Sequence, residues 1–499
     1  MFSRSPFSFG PGAIASPVNR IPSEILALLP DSWDTDYKDQ GTIVLTHVCR
    51  AWREIFTSRS SLWADFNCMD VNKTHVYLER SKSSPINVSL NRVNGLSPCD
   101  PFLLILPQAI GRLKSLSVDV ELGYLQDITP HLSLPAPLLE DLSIDGGSEY
   151  LPRRNPTLTS TLFGGDLSPL RLLCLQSVRT ELPWRNMVNL TSFTLAYTSP
   201  GEVSVGHLLD FFECAPRLRE VRLRSATPTF GAQNGRLVSL ACLKRMDILE
   251  SGPCSLLLDH LLIPVGAELT TQVDLPTPLI EGYLPRSLDD LRNLSDFTEI
   301  HLYATGWYPR VRLSGPNGKV TMVLVARTDV TCTVLESLTR FDISKAERLE
   351  IDQADPSSRD LPYRTFKSMK GLRILTLFHC RNPHIFIDAL HPSMNSGVVV
   401  CPELEGLVLV LHVDEGMLDM KGVIGMAAAR AVGGVKLKSI RIVSYDKVVR
   451  ADVLELEKHV LHVERGTDIG GPATRSTEGV VDCSLVSRPV FGSILAVDR

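Results

Sequence analysis

The chain has 499 residues, of which 44% are hydrophobic and 21% charged, with a formal net charge of −5. That balance permits a sizeable core and excludes global disorder, and the length allows two or three conventional domains or one domain followed by a repeat array. No long basic block is present, which speaks against nucleic acid as a partner, because such binding needs a clustered Lys/Arg face to release counterions. No apolar run reaches the roughly 18–20 residues that cross a bilayer, so no membrane partner is expected.

Residues 1–19 are rich in Ser, Pro, Gly and Phe. They carry no continuous apolar segment of the signal-peptide kind and read as a disordered tail. The 11 cysteines are scattered, without a C-x-x-C pair. They read as reduced thiols of a cytoplasmic or nuclear protein rather than as a zinc module or disulfide framework. The Asn-x-Ser/Thr triplets at Asn72, Asn87, Asn189 and Asn293 are then chance matches.

The first patterned stretch begins Ile21-Pro22-Ser23-Glu24-Ile25-Leu26. Pro22 suits a first helical turn, where its missing N–H costs nothing. Ile25, Leu28 and Leu29 fall at i, i+3 and i+4, and Pro30 ends the helix. After the polar, acidic stretch Asp31–Asp36, a second helix is expected from near Thr42. It places Leu45, Val48, Cys49, Trp52, Ile55 and Phe56 on one face, with Arg50, Arg53 and Glu54 off it. Ser60 or Ser61 is expected to cap a short third turn carrying Leu62 and Trp63. Pattern alone leaves two readings of residues 20–65 open: an ordinary internal helical core, or a module with part of its apolar surface meant for another protein. A unit this small is not stable alone.

Ile21-Pro22-x-Glu24-Ile25-Leu26, then Val48-Cys49-Arg50-x-Trp52, then Ser60-Ser61-Leu62-Trp63, resemble the F-box family over residues 20–65. The resemblance implies a three-helix docking module for a Skp-type adaptor and, through it, a cullin of an SCF ubiquitin ligase. Ile21 and Pro22 match the family's Leu-Pro adaptor contact, with Ile in place of the commoner Leu. Ile25, Leu45, Val48 and Trp52 match its apolar helix positions, and Leu26, Cys49 and Trp63 complete the implied adaptor-binding set. Asp31–Gly41 is more acidic and less apolar than the family's equivalent stretch.

Beyond Met69, a helical segment (Lys73–Arg80) and an alternating strand (Ile86, Val88, Leu90) come first. The pattern apolar-x-x-apolar-x-apolar then recurs. It appears as Leu113/Leu116/Val118, Leu139/Leu142/Ile144, Leu170/Leu173/Leu175, Leu190/Phe193/Leu195, Leu218/Val221/Leu223 and Leu243/Met246/Ile248. Further copies are Phe297/Ile300/Leu302, Ala346/Leu349/Ile351, Leu372/Leu375/Leu377, Leu404/Leu407/Leu409 and Leu437/Ile440/Ile442. Spacings of about 20–33 residues fall in and around the leucine-rich-repeat range, and one gap of about twice that length hides a further unit. A single unit cannot bury its strand's inner face, whereas stacked neighbours can.

Helices are expected between strands at Val205–Cys214, Leu284–Leu294, Ile385–Leu390 and Val423–Val432. Pro137, Pro169, Pro216 and Pro402 mark turns into strands. A regular leucine-rich repeat also places Asn or Cys three residues past the last strand Leu. Cys380 alone fits, while Val178, Thr198, Ala226 and Thr305 hold the equivalent places. The fold class is therefore α/β: the short F-box module, then an irregular leucine-rich-repeat-like solenoid with a parallel sheet over residues 66–465. A conventional α/β sheet with irregular helices is the alternative.

Alternation on both sides of Gly315-Pro316-Asn317-Gly318 predicts a hairpin near residues 309–326, either an inserted flap or an antiparallel edge of the same sheet. Val453, Leu454, Leu456 and Val460 suggest a last helix, Leu461-His462-Val463 a closing strand, and residues 466–499 a mostly disordered tail.

No phosphate-loop, dinucleotide, zinc-protease or nucleophile-elbow motif is present. His379, Cys380, His384, His391 and Cys401 have metal-ligand chemistry at loose spacing and are read as structural. No catalytic residue, metal or cofactor is assigned. The expected function is a non-catalytic substrate-recognition subunit of an SCF-type ligase, its solenoid binding a protein substrate. The alternative is an interaction scaffold that does not act through a cullin.

Overall fold

In a computed structural model of the chain, the described residues are 21–26, 35–68, 70–90, 106–120, 122–147, 157–158, 161–181, 185–198, 203–226, 235–251, 254–273, 283–285, 296–303, 310–324, 342–354, 358–392, 397–411, 419–443 and 448–466, with single residues 103, 291, 335, 338 and 356. The expected tail 1–19, the expected tail 466–499 except Gly466, which ends a strand, and Leu28, Leu29, Pro30, the start of the acidic stretch and Thr305 lie outside them.

Alternating burial builds the strands. In Asp65–Asn67 (β1) Phe66 is buried; in Ile86–Leu90 (β2) it is Ile86, Val88 and Leu90. Leu113–Asp119 (β3) and Asp141–Asp145 (β4) bury Leu116 with Val118 and Leu142 with Ile144. Each strand pairs in parallel with the next in sequence: Phe66 with Val88, Val88 with Leu116, Leu116 with Leu142. The ladder continues through Leu172–Gln176, Ser192–Ala196, Glu220–Arg224, Arg245–Ser251 and Glu268–Val273. One buried row runs across it, from Leu142 through Leu173, Phe193, Val221 and Met246 to Leu269. Burying each such side chain contributes about 1.5–3 kcal/mol.

The chain divides into two compact units, Met1–His301 with Thr305–Ser337, and Leu302–Ala304 with Leu338–Arg499. The second has its own parallel ladder, formed by Arg348–Asp352, Ile374–Phe378, Gly406–Val410, Ser439–Val443 and His462–Gly466. Leu349, Leu375, Leu407, Ile440 and Val463 pair in succession. The architecture is thus mixed α/β, dominated by parallel sheet.

Two expectations change in detail. The strand Glu268–Val273 fills the long gap after Ile248, and no apolar triplet marks it. In register with Met246 and Ile248 stand Leu269 and Thr271, so a fully buried threonine takes a place the pattern reserves for an aliphatic residue. The hairpin is not a flap. Arg310–Gly315 and Gly318–Leu324 pair antiparallel around Pro316-Asn317, and Gly318–Leu324 also pairs in parallel with Glu268–Val273. On the other flank the amide of Thr298 donates to the Ser314 carbonyl at 3.0 Å, so the hairpin lies within the sheet rather than at its edge.

Helices form at Val205–Cys214, where the Ser204 hydroxyl accepts from the His207 amide at 3.1 Å, and at Pro383–Leu390, Met420–Val432 and Arg450–Leu456. Of the helix expected at Leu284–Leu294, Leu291 is instead extended and buried, bridged in parallel to Ile263. Its backbone partner lies on another segment, which a helix would forbid.

The strand ends share a device. Ser177, Tyr197, Ser225, Gln353 and His379 each follow a strand directly, with φ of 53°, 55°, 44°, 55° and 47°. Their amides donate to the carbonyls of Ala196, Arg224, Leu249, Phe378 and Val410 on the adjoining strand, at 2.7–3.0 Å. The left-handed step turns the chain so that the next residue (Val178, Thr198, Ala226, Ala354 or Cys380) is buried. Cys380 Sγ additionally reaches the carbonyls of Phe378 and Ile351, at 3.5 and 3.8 Å.

Candidate docking face

The module before β1 comprises Ser23–Leu26 (α1), Thr35–Val48 (α2), Arg50–Ser58 (α3) and the 3₁₀ turn Ser60–Trp63. Val71–Arg80 (α4) follows β1. The Pro22 carbonyl accepts from the amides of Ile25 and Leu26, at 3.0 and 3.1 Å, and starts α1.

The expected single helix from Thr42 is two helices. The first begins seven residues earlier, at Thr35, and runs through Gly41. A mid-helix glycine costs about 1 kcal/mol, which the burial of Thr42, Leu45 and Thr46 offsets. The break falls at Cys49, whose backbone is extended and whose Sγ accepts from the Trp52 amide at 3.5 Å as the N-cap of α3. Arg53 Nε donates to the Thr46 carbonyl at 2.9 Å, so a cation on α3 satisfies an end group of α2. Neither Ser60 nor Ser61 caps the 3₁₀ turn. Arg59 holds that position without a side-chain bond, and the Ser60 hydroxyl instead pairs with that of Ser84 at 2.7 Å.

Of the nine expected adaptor-binding residues, four are buried, four are exposed and Cys49 lies between. Leu26, Leu45, Trp52 and Trp63 are buried in this chain. Trp52 meets Phe56 edge to face at 5.7 Å, and its indole N–H is buried with no hydrogen-bond partner. Trp63 is 1% exposed, T-stacked on Tyr77 at 5.0 Å, with the Arg80 guanidinium 4.3 Å from its ring centre. It belongs to the junction between the module, β1 and α4 rather than to a free surface. Cys49 is half-exposed and acts as the cap described above.

Ile21, Pro22, Ile25 and Val48 are exposed, Ile25 at 54% and Val48 at 50%. Val44, which the face expected from Leu45, Val48 and Trp52 omits, is exposed at 60%. Ile21 and Ile25 are four apart, as are Val44 and Val48, and that spacing on α2 is the signal that identifies Val44. The module therefore presents two i, i+4 apolar pairs to solvent while its own core is closed by Leu45, Trp52 and Phe56. Such a surface can contribute apolar contact area to a partner.

Among the described residues, no group of three or more His, Cys, Asp or Glu is placed to hold a metal ion. Cys401, from the loosely spaced His/Cys set, donates to the Phe366 carbonyl at 3.2 Å, and burial pushes its thiol pKa up to about 12. Among the described residues no helix is long and apolar enough to cross a membrane. No protein-family model and no curated protein matches the chain.

Proposed function

We propose that residues 20–65 are an F-box-type module that docks a Skp-type adaptor, and that the strand ladders behind it are a degenerate leucine-rich-repeat receptor for a protein substrate of an SCF-type ubiquitin ligase. The observation that carries the first half is the exposure of Ile21, Pro22, Ile25 and Val48 beside a core that is already complete without them. Exposed apolar anchors on a short helical module contribute to binding only when another protein covers them, at about 1–2 kcal/mol each. Support for the second half is the one-register parallel ladder, with a buried apolar row and one strand per 20–33 residues (about the leucine-rich-repeat period). The protein then acts by raising the effective concentration of a bound substrate near a ubiquitin-loaded enzyme held elsewhere in the complex.

Pull-down of the full chain with a recombinant Skp-type adaptor and cullin tests this. Capture of both is expected from the wild type, with loss in the Ile25→Asp/Val48→Asp variant at unchanged circular dichroism. Undiminished capture by that variant overturns the docking assignment. Capture of adaptor without cullin supports instead a scaffold that works outside a ligase.

A further inference from the structure

The outward row of the first unit's sheet changes character along the ladder. From β1 to Ser192–Ala196 its middle register position holds Asn67, Ser89, Ser117, Ser143, Cys174 and Thr194. The next five strands place Arg222, Asp247, Thr270, Thr321 and Arg312 there. At about 4.8 Å per strand, Arg222 and Arg312 stand roughly 19 Å apart along the row.

Asp247 organises this end. Its side chain is 4% exposed, and its carboxylate takes Arg245 Nε at 2.9 and 3.2 Å and Arg222 Nε at 3.4 Å. One buried anion thus fixes two guanidiniums through their Nε atoms, and the Nη pairs of both, the fork that grips an oxyanion, are not used by it. Arg222 is half-exposed and Arg245 more than a third exposed. Arg224, on the same face, lies 5.1 Å from the ring centre of Tyr197. Burial, with the cations of Arg312 and Arg245, holds the Lys319 ammonium below the usual lysine range, against the pull of Glu268. Glu220 and Glu268 flank Arg245 in register and temper the patch.

We propose that this face binds an extended peptide segment bearing spaced Asp or Glu side chains, gripped by the Arg222–Arg245 fork that Asp247 positions. It rests on the receptor reading above and names the substrate class. Charge complementarity selects the occupant: the cations outnumber the carboxylates, but Glu220 and Glu268 stand close enough to favour monoanionic groups over a phosphate dianion.

Fluorescence anisotropy with the full chain tests it, using a labelled peptide that alternates Glu with Ser. Salt-sensitive binding is expected, and about tenfold weaker binding of the matching Gln peptide and by the Arg222→Gln/Arg245→Gln variant. Equal binding of the Glu and Gln peptides, or no loss in that variant, overturns the site. A phosphoserine peptide that binds more tightly than the Glu peptide overturns the choice of carboxylate. Asp247→Asn distinguishes positioning from bulk charge: removing a negative group alone strengthens binding, whereas loss of the fork weakens it, so tighter binding overturns the fork. If that variant does not melt cooperatively, Arg222→Lys/Arg245→Lys serves, since it keeps the charge and removes the fork; unchanged binding there is equally decisive. Adaptor capture by all these variants is expected to stay intact; a wild-type chain that captures the adaptor but binds no acidic peptide sinks this inference while sparing the docking assignment.

Discussion

The indole N–H of Trp63 donates to the main-chain carbonyl of Phe56 across 2.9 Å, folding the 3₁₀ turn back onto α3. The bond lies in the buried junction that Trp63, Phe66 and Tyr77 build between the helical module and the sheet. Trp63→Phe keeps a ring and removes the donor, costing about 1–2 kcal/mol. Trp63→Ala removes the whole packing unit, at about 3–5 kcal/mol. Urea denaturation measures both.

Ile25 and Val48 behave in the opposite way. Each is at least half exposed, so Ile25→Asp or Val48→Asp shifts stability by no more than about 0.5 kcal/mol. A loss of several kcal/mol in the same urea experiment contradicts a free apolar surface on α1 and α2.

Arg430 is fully buried in the helix Met420–Val432, and its two Nη atoms donate to the Val400 and Cys401 carbonyls at 2.8 Å each. Arg430→Lys cannot make this forked pair and is expected to cost about 2–3 kcal/mol, since hydrogen bonds to charged groups contribute about 1.5–3 kcal/mol. Thermal unfolding of the full chain reads the loss.

Backbone conformation at the strand ends makes two substitutions diverge. Ser225 has φ 44°, and Ser225→Gly relieves it for a gain of about 0.5–1 kcal/mol. A Cβ at Gly146 meets the Ser177 carbonyl oxygen at 2.5 Å, so Gly146→Ala is expected to cost about 1–3 kcal/mol. Matching denaturation midpoints for the two variants would refute the pair.

Thiol chemistry follows burial. Desolvation pushes Cys68, Cys254 and Cys401 up to about 12, so at neutral pH these thiols are protonated and shielded, while Cys242 is exposed. Iodoacetamide with mass spectrometry is expected to label Cys242 in the native protein, and the other three only once urea unfolds it.

Apolar spacing made most of the ladder readable. Triplets such as Leu139/Leu142/Ile144 and Leu372/Leu375/Leu377 each mark a strand, because a buried face demands aliphatic residues at fixed register. The strand at Glu268–Val273 escaped because Thr271 is buried where an aliphatic residue normally signals a strand. The break at Cys49 left no trace in composition: no Gly or Pro marks it, and the apolar period continues across it while a thiol does the capping. At Pro22, Ile25 and Val48 the apolar positions expected at the surface are exposed. Trp63 was indistinguishable from them, since a large aromatic residue serves a core as well as a surface.

The left-handed step after the five strands that end at Gln176, Ala196, Arg224, Asp352 and Phe378 has a consequence for how such a chain can change. The seam between neighbouring units is closed by an amide, as from Ser177 to Ala196 or Gln353 to Phe378, and every residue but proline brings an amide. Side chains at the seam can therefore drift without unpicking it, and a whole unit can be duplicated or lost while the main-chain stitch on either side re-forms. Varied side chains and a constant architecture are compatible here because the fastening lies in the part of the polymer that mutation barely touches.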